Sequence, residues 1–321
     1  ALLIGGLAIG ETLINGLLEG EDVLAMVGAL RSLGVKIEKN GNGSWSVVGC
    51  GICGLSEPTQ VLNVGNSGTA ARLLMGVLAV HPFSSTLTGD QSLNARPMNR
   101  CMIPLSAMGA NFQARTGGFL PINVTGLADP IPIEYRLPVA SAQVKSSILF
   151  AGLGAAGATK VIEPIPTRDH TELMLSHFGV KIDVEDSPDG ARHVTVNGQP
   201  ELSACEIFVP GDISSAAFPI VAALLLPGSK IIIKNVGMNP LRTGLVETLK
   251  EMGGAITVQN SRRETGECVA DLVVKGSTLQ GVFVKADRAP SMIDEYPILA
   301  VCAACAMGTT RLEGLSELRV K

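Results

Sequence analysis

The amino-acid sequence predicts an α/β protein of two domains, built from a repeated βαβαββ unit. At 321 residues the chain is longer than one hydrophobic core usually supports. A composition of 46% hydrophobic and 17% charged residues is typical of a folded globular protein. The third observation is an internal repeat, which organises the whole chain.

Five segments share one layout: an apolar helix, a glycine or proline break, and a short β-branched strand. They are residues 1–17, 72–89, 147–164, 219–236 and 297–314. An amphipathic helix follows four of these segments, and each time a glycine marks its end, as helix C-termini favour. These glycines are Gly34, Gly109, Gly179 and Gly253, about 73 residues apart. Two alternating strands complete the unit, as in residues 35–40 with 44–49.

We place the domain boundary where the fourth copy begins, so that residues 1–208 hold three copies and residues 209–321 hold one and a half. The period is longer than that of the usual solenoid repeats, which favours compact domains. The chain begins within a predicted helix and ends without a terminating turn. We therefore interpret it as an internal fragment with an incomplete second domain.

Charge and cysteine usage limit the classes of function. A net charge of −4 without a basic run argues against nucleic-acid or membrane-surface binding. The longest apolar run, residues 216–228, is interrupted by Pro219 and is too short to span a membrane. Seven cysteines include two distant C-x-x-C pairs, Cys50/Cys53 and Cys302/Cys305. Reduced thiols in the cytoplasm are the simplest interpretation, with zinc or redox use as the alternative.

Polar residues stand at the start of four apolar helices, in residues 65–69, 139–146, 211–216 and 289–296. Helix N-termini present unpaired N–H groups and partial positive charge, so they can bind anions. Helix capping is the competing interpretation, because serine and aspartate are favoured caps. Capping accounts for one polar residue per helix but not for Gln143 and Lys145, which follow Ser141. Both interpretations remain open on this evidence.

Arginines and acids near these helix starts could carry chemistry. Arg96 follows a strand in the same copy as the glycine-rich loop, and guanidinium suits carboxylate or phosphate. Arg168 precedes a helix and could instead pair with Asp169 on the surface. Asp294 and Glu295 stand at a helix start, as caps or as a general base. No common nucleotide-binding, hydrolase or zinc-protease motif is present, so the residues indicate small anionic ligands without defining a reaction.

Several motifs together resemble the 3-phosphoshikimate 1-carboxyvinyltransferase (EPSP synthase) family, from Ala1 to Lys321. They are GNSGTAARLL, ARPM, SAQVKS, TRDHTE, GDISSAAFP, MNPLRTG, DRAPSMIDEYPILA and ELRVK. SAQVKS and SMIDEYPILA resemble the subgroup called class II. The resemblance implies an inside-out α/β barrel of two three-repeat domains with the active site between them. Shikimate 3-phosphate belongs to the side of residues 1–208, and phosphoenolpyruvate to that of residues 209–321.

The family's reaction moves the enolpyruvyl group of phosphoenolpyruvate to the 5-hydroxyl of shikimate 3-phosphate and releases phosphate. It proceeds through a tetrahedral adduct without a metal or organic cofactor, on the pathway to chorismate and the aromatic amino acids. The resemblance also implies a monomer and competitive inhibition by glyphosate. We expect the parent protein to catalyse this reaction, and the 321-residue chain alone to have little or no activity.

The resemblance assigns roles residue by residue. Asp294 matches the family's aspartate on the 5-hydroxyl, and Lys321 matches a lysine near both substrates. Arg96 matches the arginine that holds phosphoenolpyruvate, and Gly68 the glycine against that ligand. The residues matched to shikimate 3-phosphate are Ser141, Ala142, Gln143 and Arg168, with Gln143 also near phosphoenolpyruvate, and Asn66 and Thr69 are weaker candidates.

Three departures from the family pattern affect these expectations. Ala142 replaces a serine, so only its backbone N–H could serve there. Gly68 is typical of glyphosate-sensitive members, although Leu73 replaces a proline that many of them carry. The family's early K-x-x-x-x-R segment and its later phosphoenolpyruvate-binding arginine and lysine are absent from the 321 residues.

Three alternatives remain. UDP-N-acetylglucosamine enolpyruvyl transferase shares the fold, but its usual cysteine five residues before the arginine is Gln91 here. The chain could also be a non-catalytic fragment that binds shikimate 3-phosphate, or an unstable one.

Overall fold

The chain folds into two compact units of mixed α/β structure. This description rests on a computed structural model, which describes residues 1–319. The first unit contains Ala1–Pro166 and His170–Val209, and the second contains Thr167–Asp169 and the chain from Pro210 onward. The three-residue segment Thr167–Asp169 therefore belongs to the second unit although it lies within the sequence of the first.

Helices and strands alternate along both units as the repeat predicts. The helices are α1 Leu2–Leu7, α2 Glu21–Ser32, α3 Gly68–Leu78, α4 Asn99–Ala107, α5 Ala142–Gly154, α6 His170–His177, α7 Ile213–Leu225, α8 Gly244–Glu251 and α9 Tyr296–Cys305. The strands of the first unit are β1 Ile9–Asn15, β2 Lys36–Gly41, β3 Ser44–Cys50, β4 Leu62–Asn63, β5 Ser84–Thr88, β6 Asn111–Arg115, β7 Phe119–Thr125, β8 Glu134–Arg136, β9 Ala158–Glu163, β10 Ile182–Asp186, β11 Arg192–Asn197 and β12 Glu206–Phe208. The strands of the second unit are β13 Lys230–Gly237, β14 Ala255–Glu264, β15 Glu267–Lys275, β16 Phe283–Val284 and β17 Arg311–Leu312.

Three four-stranded sheets of the same design make up the first unit. Their strand orders are β12-β1-β3-β2, β4-β5-β7-β6 and β8-β9-β11-β10. In each sheet the first pair is parallel and the other two pairs are antiparallel. Strand β12 comes from the far end of the unit, where Ile207 lies opposite Ile14 of β1. The sheet of the first copy is thus completed by the last strand of the unit.

The apolar helices α1, α3 and α5 form the centre of the first unit. Every residue of α1 is buried, and in α5 every residue from Val144 to Gly154 is buried. A helix that is apolar on all sides is stable only when it is surrounded, which places these helices inside the sheets. This arrangement agrees with the inside-out α/β barrel that the sequence predicts.

The predicted glycine ends of the amphipathic helices are confirmed. Gly34, Gly109, Gly179 and Gly253 follow α2, α4, α6 and α8, with φ angles of 92°, 107°, 92° and 89°. Residues with a side chain rarely adopt this left-handed conformation, so glycine ends each helix at a defined point.

The second unit repeats the design in part. Strands β13, β15 and β14 form an antiparallel sheet, and β16 pairs in parallel with β17. Helices α7 and α9 contact each other beside these sheets. Pro219 lies inside α7, and Ile220 and Leu224 are among its buried side chains. Across residues 1–319, none of the helices combines the length and apolar character needed to cross a membrane.

Gly76 lies where the backbones of α3 and α5 are in close contact, and it provides a test of this packing. A Cβ atom at Gly76 would lie 2.2 Å from the backbone oxygen of Ser147. We expect Gly76→Ala to push the helices apart and to lower the free energy of unfolding by about 1–3 kcal/mol, measured by chemical denaturation.

Gly28→Ala is the matched control, because Gly28 is exposed in α2 and an added Cβ would meet nothing within 4 Å. Alanine favours the helix over glycine, so this variant should gain about 0.5–1 kcal/mol. Equal stabilities of the two variants would contradict the close helix contact.

Candidate functional site

The loop before α3 is both a capped turn and the wall of a cavity. Ser67 caps α3, its hydroxyl oxygen accepting a hydrogen bond from the backbone N of Ala70 at 3.1 Å. Gly65 has φ +57°, and its backbone N donates to Asn63 Oδ1 at 2.9 Å. The capping interpretation is therefore correct for Ser67, and it leaves the other polar groups of the loop for a further role.

A cavity of about 520 Å³ lies in the first unit at the N-terminus of α3. It brings together predicted residues from three separate parts of the sequence. The residues lining it are Glu21, Asp22, Asn66, Ser67, Gly68, Thr69, Arg72, Arg96 and Gln143. Gly68, Arg96 and Gln143 were predicted as ligand-binding residues, and Asn66 and Thr69 as weaker candidates. Five predicted residues therefore share one cavity.

Arg96 is held by neutral groups rather than by an acid. Its Nη2 donates to Asn66 Oδ1 and to Ser92 Oγ, both at 3.2 Å. Asn66 in turn donates to Asp90 Oδ2 at 2.6 Å. A hydrogen bond from the backbone N of Leu93, followed by the one from Asn66, lowers the pKa of Asp90. Asp90 thus fixes the loop and Asn66, while the Arg96 guanidinium keeps its positive charge for another anion.

Arg72 is a second cation in the cavity, and the sequence analysis did not identify it. Its Nη1 donates to Gln143 Oε1 at 2.8 Å and to the backbone oxygen of Gly68 at 3.4 Å. Burial is the main cause that lowers the pKa of Arg72, and the charge of Arg96 adds to it. The sequence pattern could have identified Arg72, because it is a charged residue inside an apolar helix. It stands four positions after Gly68 and therefore lies on the same face of the helix.

Among the described residues, Arg72 and Arg96 form no salt bridge, although Glu21 and Asp22 also line the cavity. In the part of the chain that the structure describes, no carboxylate oxygen lies within 4 Å of either guanidinium. A Cβ atom at Gly68 would lie 3.0 Å from Arg72 Nη1 and 3.5 Å from Arg96 Nη1, so glycine leaves the space between them open. Two guanidinium groups beside a helix N-terminus make a site for a phosphate or carboxylate.

Gln143 joins the N-termini of the two buried helices α3 and α5. Its Nε2 donates to Thr69 Oγ1 at 2.8 Å, while its Oε1 accepts from Arg72. Ser141 caps α5, its Oγ accepting from the backbone N of Val144 at 3.4 Å, and Ala142 is the first helical residue. The predicted triplet at residues 141–143 thus forms the start of α5, with Gln143 alone lining the cavity.

Lys145 is a residue of the hydrophobic core and does not line the cavity. It is completely buried in α5, with its Nζ 3.0 Å from Glu163 Oε2 and 2.6 Å from Glu172 Oε1. Burial raises the pKa of Glu172, while Lys145 acts in the opposite direction. Helix capping did not account for Lys145 in the sequence. Its ion pairs within the core explain why a charged residue stands there.

The predicted residues of the second unit form a separate group. Arg168 Nη2 lies 2.5 Å from Asp294 Oδ2, and both side chains are partly exposed. The alternative pairing of Arg168 with Asp169 is not observed, because Asp169 Oδ1 accepts from Asn239 Nδ2 at 2.6 Å. The predicted catalytic residue Lys321 lies outside the described residues.

Comparisons with known proteins identify one family across the whole chain. The family model described as EPSP synthase (3-phosphoshikimate 1-carboxyvinyltransferase) matches residues 1–321. The 3-phosphoshikimate 1-carboxyvinyltransferase of Paramagnetospirillum magneticum is 60% identical over 321 residues, which cover 100% of this chain and 72% of that protein. The same enzyme of Granulibacter bethesdensis is 61% identical over 322 residues, covering 100% and 71%.

A solved structure gives the same result for the fold. EPSP synthase from Acinetobacter baumannii superimposes with a TM-score of 0.90 at 48% sequence identity, covering 100% of this chain and 71% of that one.

The buried Lys145 triad generates a stability prediction. Lys145→Met leaves two buried carboxylates without their counter-ion, so we expect a loss of about 3–5 kcal/mol of unfolding free energy in urea denaturation. Lys160→Met is the control, because Lys160 pairs at 3.5 Å with Glu134, whose side chain is 62% exposed. Such exposed pairs contribute about 0–1 kcal/mol. A Lys145 variant as stable as the Lys160 variant would show that the triad does not stabilise the core.

Proposed function

The chain belongs to the EPSP synthase family, and we propose that it acts in the transfer of the enolpyruvyl group of phosphoenolpyruvate to the 5-hydroxyl of shikimate 3-phosphate. In this reaction the 5-hydroxyl oxygen bonds to the central enol carbon, whose methylene gains a proton. The tetrahedral adduct then expels phosphate and loses a methyl proton to restore the vinyl group. The observation that supports the proposal most strongly is the pair of arginines without acid partners beside the N-terminus of α3.

Phosphoenolpyruvate fits this cavity by charge. The ligand carries a phosphate and a carboxylate, and the cavity offers Arg72, Arg96 and the backbone N–H groups at the start of α3. Developing negative charge on a transferred group is stabilised best by such fixed donors. We assign Arg96 and Gly68 to phosphoenolpyruvate, and Asn66 orients Arg96 through the hydrogen bond between them.

We assign the residues at the start of α5 to shikimate 3-phosphate. Ser141 and Ala142 lie at a helix N-terminus, where backbone N–H groups favour a phosphate. Gln143 would contact both substrates, since it also lines the arginine cavity. Thr69 holds its amide through a hydrogen bond. We also assign Arg168 of the second unit to shikimate 3-phosphate, as the family resemblance implies.

Asp294 is the proposed general base for the 5-hydroxyl. Its ion pair with Arg168 is made by the deprotonated carboxylate, which is the form that accepts a proton. We propose that substrate binding exchanges this contact of Arg168 for one with a phosphate. Lys321 keeps its proposed catalytic role near both substrates.

Several finer assignments also remain proposals. We propose that glyphosate competes with phosphoenolpyruvate, that the enzyme is a monomer in the cytoplasm, and that residues 1–208 and 209–321 are two domains, of which the second contributes Asp294 and Lys321. No observation favours the UDP-N-acetylglucosamine reaction or a non-catalytic binding role.

Arg96→Met tests the phosphoenolpyruvate site. Removing one of two guanidinium groups should raise the KM for phosphoenolpyruvate by about 10- to 100-fold, since a charged hydrogen bond contributes about 1.5–3 kcal/mol. The KM for shikimate 3-phosphate should change less. The assay is phosphate release by the protein as its gene encodes it.

Arg115→Met is the control, because Arg115 Nη1 donates to the backbone oxygen of Leu120 and Arg115 is not among the residues that line the cavity. It should leave both KM values unchanged. A similar KM for phosphoenolpyruvate in the two variants would refute the assignment, and an inactive wild-type protein would refute the proposed reaction.

Gly68→Ala tests the predicted sensitivity to glyphosate. The added methyl group would occupy the space at 3.0 Å from Arg72 Nη1 and 3.5 Å from Arg96 Nη1. We expect the inhibition constant of glyphosate to rise about tenfold or more, because a misplaced guanidinium loses at least one charged hydrogen bond. Gly28→Ala, outside the cavity, should leave that constant at the wild-type value. An unchanged constant in Gly68→Ala would exclude glyphosate from this cavity.

A further inference from the structure

A polar network in the second unit connects the starts of α7 and α9, and the proposed reaction does not use it. Arg242 Nη2 donates to Ser214 Oγ, and the Ser214 hydroxyl donates to Glu295 Oε1. The same guanidinium nitrogen lies 3.3 Å from Asp212 Oδ1 and 4.0 Å from Glu295 Oε1. One arginine thus links a residue before each helix, Asp212 before α7 and Glu295 before α9.

The network is most deeply buried at Glu295. The Glu295 side chain is only 3% exposed, and that of Arg242 is 18% exposed. A buried carboxylate is stable only with a cation and hydrogen bonds to satisfy it, and here both come from Arg242 and Ser214. Glu295 therefore has one preferred position, which fixes the backbone immediately before α9.

Asp294 shares that backbone, since it precedes Glu295 in a turn. Its carboxylate faces Arg168, whereas the next carboxylate faces Ser214 and Arg242. The two neighbouring acids thus have different partners and opposite exposures. Glu295 anchors the turn inside the unit, and Asp294 is partly exposed with its side chain 37% accessible.

We infer that Arg242 is a positioning residue for the proposed reaction, which holds Asp294 in place through Ser214 and Glu295. The inference rests on the proposed role of Asp294 as the general base. A base must lie within hydrogen-bond reach of the proton it removes, and a displacement of about 1 Å can reduce a rate about 100-fold. Arg242 has no need to touch a substrate to exert this effect.

Arg242→Met removes the charge and the hydrogen bonds while keeping an unbranched side chain. We expect kcat to fall about 100-fold, with the KM values for both substrates within threefold of wild type. Ser214→Ala breaks the link with a smaller change and should lower kcat in the same direction. If thermal unfolding shows that Arg242→Met does not fold, Ser214→Ala tests the inference in its place.

Arg262→Met is the control, because Arg262 is a partly exposed arginine of the same unit that donates to Asn235 and Glu264. Its loss should leave kcat unchanged. If kcat fell as far as in Arg242→Met, the inference would be overturned, since the loss of an arginine outside the network would then have the same effect.

A double variant separates positioning from general destabilisation. If Arg242 acts through Asp294, adding Arg242→Met to Asp294→Asn causes no further loss of kcat. Multiplied losses in the double variant, or an unchanged kcat in Arg242→Met, overturn the inference while Asp294→Asn still confirms the base. If Asp294→Asn itself leaves kcat at the wild-type value, the proposed role of Asp294 fails instead, and the inference fails with it.

Discussion

The close packing of α3 against α5 is the constraint on which the candidate site depends. Both helices are apolar along most of their length and lie inside the first unit, so their polar groups are confined to the ends. Gly76 allows the backbones to approach, and Gln143 joins the two N-termini by its hydrogen bond to Thr69. Two helix starts that are about 73 residues apart in sequence thereby meet at the proposed anion-binding site.

The repeat pattern made much of this predictable. A constant glycine interval and five apolar helix–strand segments predicted the α/β architecture, and the glycine ends of α2, α4, α6 and α8 were confirmed. The local pattern indicated the glycine-rich loop, Arg96 and Gln143 as candidates for anion binding, and the resemblance to a family assigned Gly68, Arg96 and Gln143 to substrates. The structure places these three in one cavity, while Arg168 and Asp294 form an ion pair in the second unit.

The sequence could not predict whether a charged residue in an apolar helix forms ion pairs in the core or lines a cavity. Lys145 and Arg72 both occur in apolar helices, so the pattern treats them alike. Glu163 and Glu172 pair with Lys145 in the core, whereas Arg72 donates to Gln143 and a backbone oxygen and forms no salt bridge among the described residues. The partners of Lys145 come from 18 and 27 residues further along the chain, and only the fold brings them together.

In each unit a side chain links the starts of two helices, and the charges around this link differ between the units. In the first unit the link between helix starts is a neutral amide, Gln143, so the arginines beside it remain uncompensated. In the second unit the link is Arg242 with Ser214, and Asp212 and Glu295 neutralise it. A repeat can thus offer cations to a ligand phosphate at one pair of helices and a carboxylate to a ligand hydroxyl at the other. The difference lies in the partners of the linking side chains, since α3, α5 and α7 all begin with a side-chain cap.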